Sequence, residues 1–278
     1  MITAKQISTA IENVAPLQLQ EDYDNAGLQC GNINQEVKKV LCCLDVTEKS
    51  IEEAIETGCQ MIVSHHPLLF HGLKSISATG DYISRCIYSA IRNNIVIYSA
   101  HTNLDNAPKG VNYKMWKMLN IKSNNITPLA SIPSFRLQTL DEDFAKKCGS
   151  GIIFDVDESE HITEEDFLSC VTHIFHAESA TINSDFDKPS NRPIHRIAMC
   201  GGSGSDFIRD AENQKADIYI TGEIGYHRMF GHPDIRLVSI GHWESEQFTI
   251  QLLADIIKQA YPDIEITETK AGNPTRHA

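Results

Sequence analysis

No stretch of this 278-residue sequence approaches the roughly 18 consecutive apolar residues of a membrane-spanning helix. The opening residues Met1-Ile2-Thr3-Ala4-Lys5-Gln6 hold no long apolar core, so no secretory signal is expected. Positive charge is scarce. The 24 Lys and Arg stand against 37 Asp and Glu, a formal net charge of -13, which argues against a sequence-independent grip on nucleic acid or an anionic membrane. Eight cysteines occur without a C-x-x-C. Cys42, Cys43, Cys59 and Cys200 fall inside apolar runs, where thiols behave as small hydrophobes, and they are expected to be reduced. There is no G-x-x-x-x-G-K-[ST] loop and no basic cluster for a triphosphate. The 41% hydrophobic and 22% charged content fits a globular protein of one large domain or two lobes, with the cytoplasm as the expected compartment.

What the chain does have is concentrated at Ile62-Val63-Ser64-His65-His66-Pro67. An apolar run ends in two adjacent imidazoles and a proline, the pattern of a buried strand delivering metal-ligand side chains to a sheet edge. Neighbouring side chains on an extended backbone point to opposite sides, so His65 and His66 are expected to serve two ions rather than share one.

Around that stretch the pattern is α/β. Thr3 to Gln6 forms a capping box before a helix with Ile7, Ala10, Ile11 and Val14 inward. Residues 21–29 are acidic and turn-rich, and 40–44 form a short strand. A helix opens at Thr47, Gly58 ends it, and the next strand runs into the histidines, which makes a β-α-β unit. Residues 69–83 form a loop rich in Gly, Ser and Thr, followed by a helix over 82–93 and a strand over 95–99. Between 126 and 193 the pattern gives strands over 135–140 and 151–156 and an amphipathic helix over 163–175. His173, His176 and Glu178 read as the polar flank of that helix rather than as ligands.

The last third repeats the first. A shift of 157 places Asp45 on Gly202, Ile51 on Ile208, Met61 on Ile218 and His66 on Glu223 without a gap. A shift of 141 places His101 on His242 and Asp105 on Glu246, so the first copy carries 16 more residues between these landmarks, most simply the 69–83 loop. Two matches in the same order indicate duplicated halves. The expected architecture is therefore α/β, two similar intertwined lobes related by a pseudo-twofold, with mixed sheets flanked by helices. The expected division is 1–125 for the first lobe, 126–195 for a connecting region and 196–278 for the second lobe. Such a pseudo-twofold would bring His65, His66 and Asp105 opposite His242 and Glu246. Histidine and carboxylate four residues apart share a face if 244–260 is helical. Three histidines and two carboxylates suit two divalent ions of Zn, Mn, Fe or Co better than Ca or Mg.

Ser64-His65-His66-Pro67-Leu68, His101-Thr102-Asn103-Leu104-Asp105, Thr221-Gly222-Glu223, His227 and Gly241-His242-Trp243-Glu244-Ser245-Glu246 together resemble the GTP cyclohydrolase 1 type 2 family, also called the Ngg-interacting-factor-three-like family. Glu21-Asp22-Tyr23-Asp24-Asn25-Ala26-Gly27-Leu28 is similar to its N-terminal signature. The resemblance implies a two-lobed fold, a paired metal site and a ring-shaped homohexamer. It implies ligands at His65, His66, Asp105, His242 and Glu246, with Glu246 bridging, and places His101, Glu223 and His227 close to the site. Residues 126–193 show no clear family motif and are too short for the inserted domain of longer members.

Two ions about 3.5 to 4 Å apart can hold a bridging water as hydroxide near neutral pH and act as Lewis acids. That expectation is a hydrolase of the GTP cyclohydrolase type or another nucleotide or phosphoester hydrolase. The competing expectation is a non-catalytic, metal-stabilised hexameric scaffold or regulator. A purely structural zinc site is usually a closed cysteine-rich shell, whereas five His and carboxylate ligands for two ions leave room for water, which favours catalysis.

Overall fold

Thr3 opens the first helix, Ala4–Val14, through the capping box the sequence contains: its hydroxyl accepts from Gln6 N, and the Gln6 side chain accepts from Thr3 N. The computed structural model describes residues 1–275. Over these residues the chain forms two compact units, one of Met1–Leu104 with the segment from Phe248 onward, the other Asp105–Gln247.

The first unit is built on a five-stranded mixed sheet whose spatial order is Glu265–Glu268, Lys39–Cys43, Met61–Ser64, Val96–Ser99 and Gly27–Cys30. The first four are parallel and Gly27–Cys30 runs antiparallel against Val96–Ser99. Leu41, Cys43, Ile62 and Ile97 cluster with Ile51, Ala54, Cys86, Ile87 and Ala90 of helices Glu48–Thr57 and Tyr82–Arg92. The alternate residues Val40, Cys42, Met61, Val63 and Tyr98 face the other way and are equally buried. On that side helices Ala4–Val14 and Thr249–Ala260 pack on each other and the latter on the strands. A sheet covered on both faces explains why its three central strands are buried along nearly their whole length rather than alternating. Each fully buried aliphatic side chain contributes on the order of 1.5–3 kcal/mol.

The second unit has a six-stranded mixed sheet in the order Thr181–Ile182, Arg236–Ser239, Ile218–Thr221, Arg196–Cys200, Ile152–Val156 and Ser123–Thr127. Its three central strands up to Arg196–Cys200 are parallel, and the remaining pairings are antiparallel. Val40 pairs with Met61 and Cys43 with Ser64 in one sheet; Ile197 pairs with Ile218 and Cys200 with Thr221 in the other. Both registers fall on the same 157-residue shift.

The α/β fold with mixed sheets and flanking helices agrees with the sequence pattern, but the units divide elsewhere than at 125 and 195. Strand Glu265–Glu268 pairs with Lys39–Cys43, so the C-terminal segment completes the N-terminal sheet. Residues 126–195 are no separate connector, since Ser123–Thr127, Ile152–Val156 and Thr181–Ile182 all belong to the second sheet. Two local expectations also change. The stretch 135–140 is helical over Ser134–Leu137, entered from Pro133 at φ -53°; its period-2 apolar pattern covers too few residues to specify a strand. The C-terminal helix is broken into His242–Glu246 and Thr249–Ala260. Among the described residues no helix is long and apolar enough to cross a membrane.

Candidate metal centre

In the first unit the candidate donors emerge where parallel strands end, the usual ligand position of open α/β sheets. Ser64 and Ser99 close adjacent strands and bond to each other at 2.8 Å. The Ser64 hydroxyl donates to His66 O at 2.9 Å and accepts from the Ser99 hydroxyl, which fixes the chain as it leaves the sheet. His65 N and His66 N still donate to Cys43 O and Leu44 O. The imidazoles nonetheless do not point to opposite sides: their ring centroids are 4.9 Å apart. The strand ends at Ser64, and alternation holds only for extended backbone inside it.

His101 joins them. Its ring centroid lies 5.3 Å from His65 and 5.4 Å from His66, and the three residues each offer a nitrogen within 4.8 Å of the others. All three rings are oriented through Nδ1. His65 Nδ1 lies 2.8 Å from Ala100 O, His66 Nδ1 2.8 Å from Asp45 Oδ1, and His101 Nδ1 2.7 Å from Asp24 Oδ1. A carbonyl can only accept, so the His65 proton sits on Nδ1 and its Nε2 lone pair faces the cluster. Carboxylate or carbonyl on Nδ1 with Nε2 held for a metal is the outer-shell arrangement of metal-binding histidines. The donor chemistry therefore fits a metal ion.

Asp24 and Asp45 orient two of these rings, a role that no local pattern in the sequence marks. Burial alone would raise the Asp24 carboxyl, but the hydrogen bonds and charge of His101 and the bonds from Thr102 and Asn25 outweigh it and hold the group below the ordinary carboxylate range. Asn25 and Gln29 of the same stretch fasten the start of the 69–83 loop. Asn25 Nδ2 donates to Leu69 O at 2.6 Å, and Gln29 Oε1 accepts from Leu69 N at 3.0 Å.

In the second unit His242 and Glu246 sit one turn apart on helix His242–Glu246, with Nε2 to Oε2 at 3.0 Å, as the four-residue spacing implies. Glu223 Oε1 is 3.5 Å from His242 Nδ1. Glu246 is buried against the backbone that follows strand Arg196–Cys200. Gly202 has φ +64°, and a Cβ there would lie 2.4 Å from Glu246 Oε1. Only glycine leaves that space for the carboxylate. Ser245 Oγ accepts from Gly202 N at 3.0 Å and so ties the helix to the same turn. Asn112 connects Asp105 to it, taking Gly201 N on Oδ1 at 2.9 Å and donating to Asp105 O at 3.1 Å. Burial raises the Cys200 thiol, and the charges of Asp105 and Glu246 raise it further.

The structure thus groups His65, His66 and His101 in one unit, and His242, Glu246 and Glu223 in the other, with Asp105 fastened to the turn that makes room for Glu246. His227 stands apart, exposed on the short turn Tyr226–Arg228 with its ring 5.3 Å from Tyr226. Among the described residues His173, His176 and Glu178 join no group of three donors.

The profile of the Duf34/NIF3 (NGG1p interacting factor 3) family matches residues 2–274. The chain belongs to this family. A "GTP cyclohydrolase 1 type 2 homolog" of Clostridium perfringens is 31% identical over 267 residues, covering 95% of both chains. Its counterpart in Clostridium acetobutylicum is 31% identical over 261 residues, 93% of this chain and 91% of the relative. Among solved structures, a Staphylococcus aureus hypothetical protein superposes with TM-score 0.83 at 27% identity over 99% of each chain. A Bacillus cereus protein related to NIF3 does so with TM-score 0.84 at 21% identity, over 100% of this chain and 99% of that one. The DUF34/NIF3 assignment covers the former connecting region as well, which carried no recognisable motif.

Proposed function

We propose that this DUF34/NIF3 protein is a dinuclear metal-dependent hydrolase acting on a nucleotide-type substrate. The observation that carries the reading is the shared orientation of His65, His66 and His101 through Ala100 O, Asp45 and Asp24. Surface histidines have no need of three separate Nδ1 acceptors; ligands do. His65, His66, Asp105, His242 and Glu246 hold two divalent ions of the Zn, Mn, Fe or Co class. His101, oriented like its neighbours, joins them rather than standing behind them. The relatives' name, GTP cyclohydrolase 1 type 2 homolog, supports a nucleotide substrate.

Bound ions would supply Lewis acidity and a coordinated water that ionises near neutral pH. The chain's own residues do the positioning. Asp24 and Asp45 hold two imidazoles against rotation. The Gly201-Gly202 turn keeps Glu246 aimed, and Glu223 steadies His242 from the solvent side. The histidine and carboxylate shell is open rather than the closed cysteine shell of a structural zinc site. A homohexameric ring in the cytoplasm completes the proposal.

Release of formate and of phosphate from GTP and a panel of nucleotides tests it, with Glu246→Gln as control. Turnover by the native protein that disappears in a Glu246→Gln protein of unchanged melting temperature supports the hydrolase. No turnover, with Glu246→Gln lowering melting temperature or assembly size, replaces it with a metal-stabilised scaffold.

A further inference from the structure

The second unit contains a cavity of about 340 Å³ whose lining includes Asp105 and Asn112, the aromatic pair Tyr113 and Trp116, and Lys146 and Lys147. That volume lies at the small end of the roughly 300–1,000 Å³ typical of small-molecule sites. Trp116 is held in place, its Nε1 donating to Ser123 Oγ at 2.8 Å, and Tyr113 meets it edge-on at 5.0 Å between centroids. The Lys117 ammonium lies over both rings, 4.4 Å from Trp116 and 5.5 Å from Tyr113. Lys146 and Lys147 are exposed, and the contacts of Lys146 to Glu142 at 2.8 Å and Asp143 at 3.7 Å are solvent-screened pairs that an incoming anion can displace cheaply. In a chain of net charge -13, two adjacent lysines beside an aromatic-walled cavity run against the overall charge.

We propose that this cavity binds a small aromatic organic phosphate of mononucleotide size, its ring system against Trp116 and Tyr113 and its phosphate on Lys146 and Lys147. Because Asp105 belongs both to this lining and to the proposed metal ligands, the cavity is the substrate subsite of that centre. The choice of a nucleotide rests on the hydrolase reading; the aromatic wall and the lysine pair do not. The two lysines discriminate by charge, so the phosphate ester binds more tightly than its nucleoside.

The test is equilibrium binding of GMP and of guanosine to the metal-loaded full chain by calorimetry, repeated in Lys146→Ala/Lys147→Ala and in Ile126→Trp, which fills the cavity. Lys146, Lys147 and Ile126 are all exposed, so neither variant threatens the fold. The expected result is at least tenfold weaker GMP binding in the lysine variant with guanosine unaffected, and loss of both ligands in Ile126→Trp. Equal GMP affinity in all three proteins, or no GMP binding to the native one at millimolar concentration, overturns the proposal. Nucleotide turnover that keeps its native KM in both variants also overturns it while leaving the hydrolase intact. GMP binding that responds to the variants in a protein without turnover keeps the subsite and removes the hydrolase.

Discussion

Asp24 Oδ1 lies 2.7 Å from His101 Nδ1, and the carboxylate side chain is wholly buried while its other oxygen accepts from Thr102 N at 3.0 Å and from the Thr102 hydroxyl. One carboxylate thus fixes both a candidate ligand and the start of the short helix that ends at Asp105. Replacing it by Asn keeps the shape but removes the charge that makes His101 a stronger donor. Asp24→Asn is expected to weaken metal binding about 10- to 100-fold, the usual cost of losing an outer-shell partner. Chelator competition measures this, with far-ultraviolet circular dichroism reporting an intact fold. Unchanged affinity would remove His101 from the centre.

Gly202 is the second sensitive point. Alanine there adopts a left-handed conformation that costs about 1–2 kcal/mol, and its Cβ would collide with Glu246 Oε1. Gly202→Ala is expected to lower stability by about 2–4 kcal/mol, strain and displacement of a buried carboxylate together. Thermal or denaturant unfolding measures the loss, and bound metal should fall in the fraction that stays folded. An alanine variant with native stability and metal content contradicts the cradle.

The cysteines behave as core. Burial pushes the thiols of Cys30 and Cys148 up to about 11 and that of Cys86 to about 12, and it raises those of Cys42, Cys43 and Cys200 well above the ordinary thiol range. All eight are free. At pH 8 the folded protein should react slowly with a thiol reagent, with half-buried Cys30 and Cys170 the first to respond, and all eight should titrate after unfolding. Rapid stoichiometric labelling of the native protein would contradict this packing.

Asp155 accepts from Arg196 Nε at 2.6 Å and from Asn125 at 2.8 Å, and these bonds, Arg196 first, lower its pKa. A depressed carboxyl stabilises the fold above its unfolded pKa of about 3.9 and loses that contribution as pH falls through the lower folded value. The pair is partly solvent-exposed, so screening holds the contribution to about 1 kcal/mol or less. Asp155→Asn should therefore unfold slightly more easily than the native chain at pH 7, and the difference should shrink as pH falls below the ordinary carboxylate value of about 3.9, which urea titrations at several pH values resolve.

Which parts of this were readable in the sequence follows from which interactions are local. The capping box at Thr3 and Gln6, the glycine stop at Gly58 and the His242–Glu246 spacing act within a turn or two, and they fold as their pattern says. The orienting carboxylates were not readable. Asp24 and His101 are 77 residues apart, and nothing in the acidic loop around Asp24 names its partner. Strand alternation puts His65 and His66 on opposite sides only if the extended backbone continues through both, and the strand ends at Ser64. The unit boundary was missed because strand Glu265–Glu268 returns to Lys39–Cys43 from the far end of the chain, a pairing with no short-range signal.

Elemental analysis of protein purified without chelator or added metal, set beside a His66→Ala/Glu246→Gln variant, tests the central claim most directly. The account predicts about two divalent ions per chain in the native protein and their loss in the variant. Substoichiometric metal that the two substitutions leave unchanged would contradict it, and His65, His66 and His101 would then be polar strand ends held by their own hydrogen bonds.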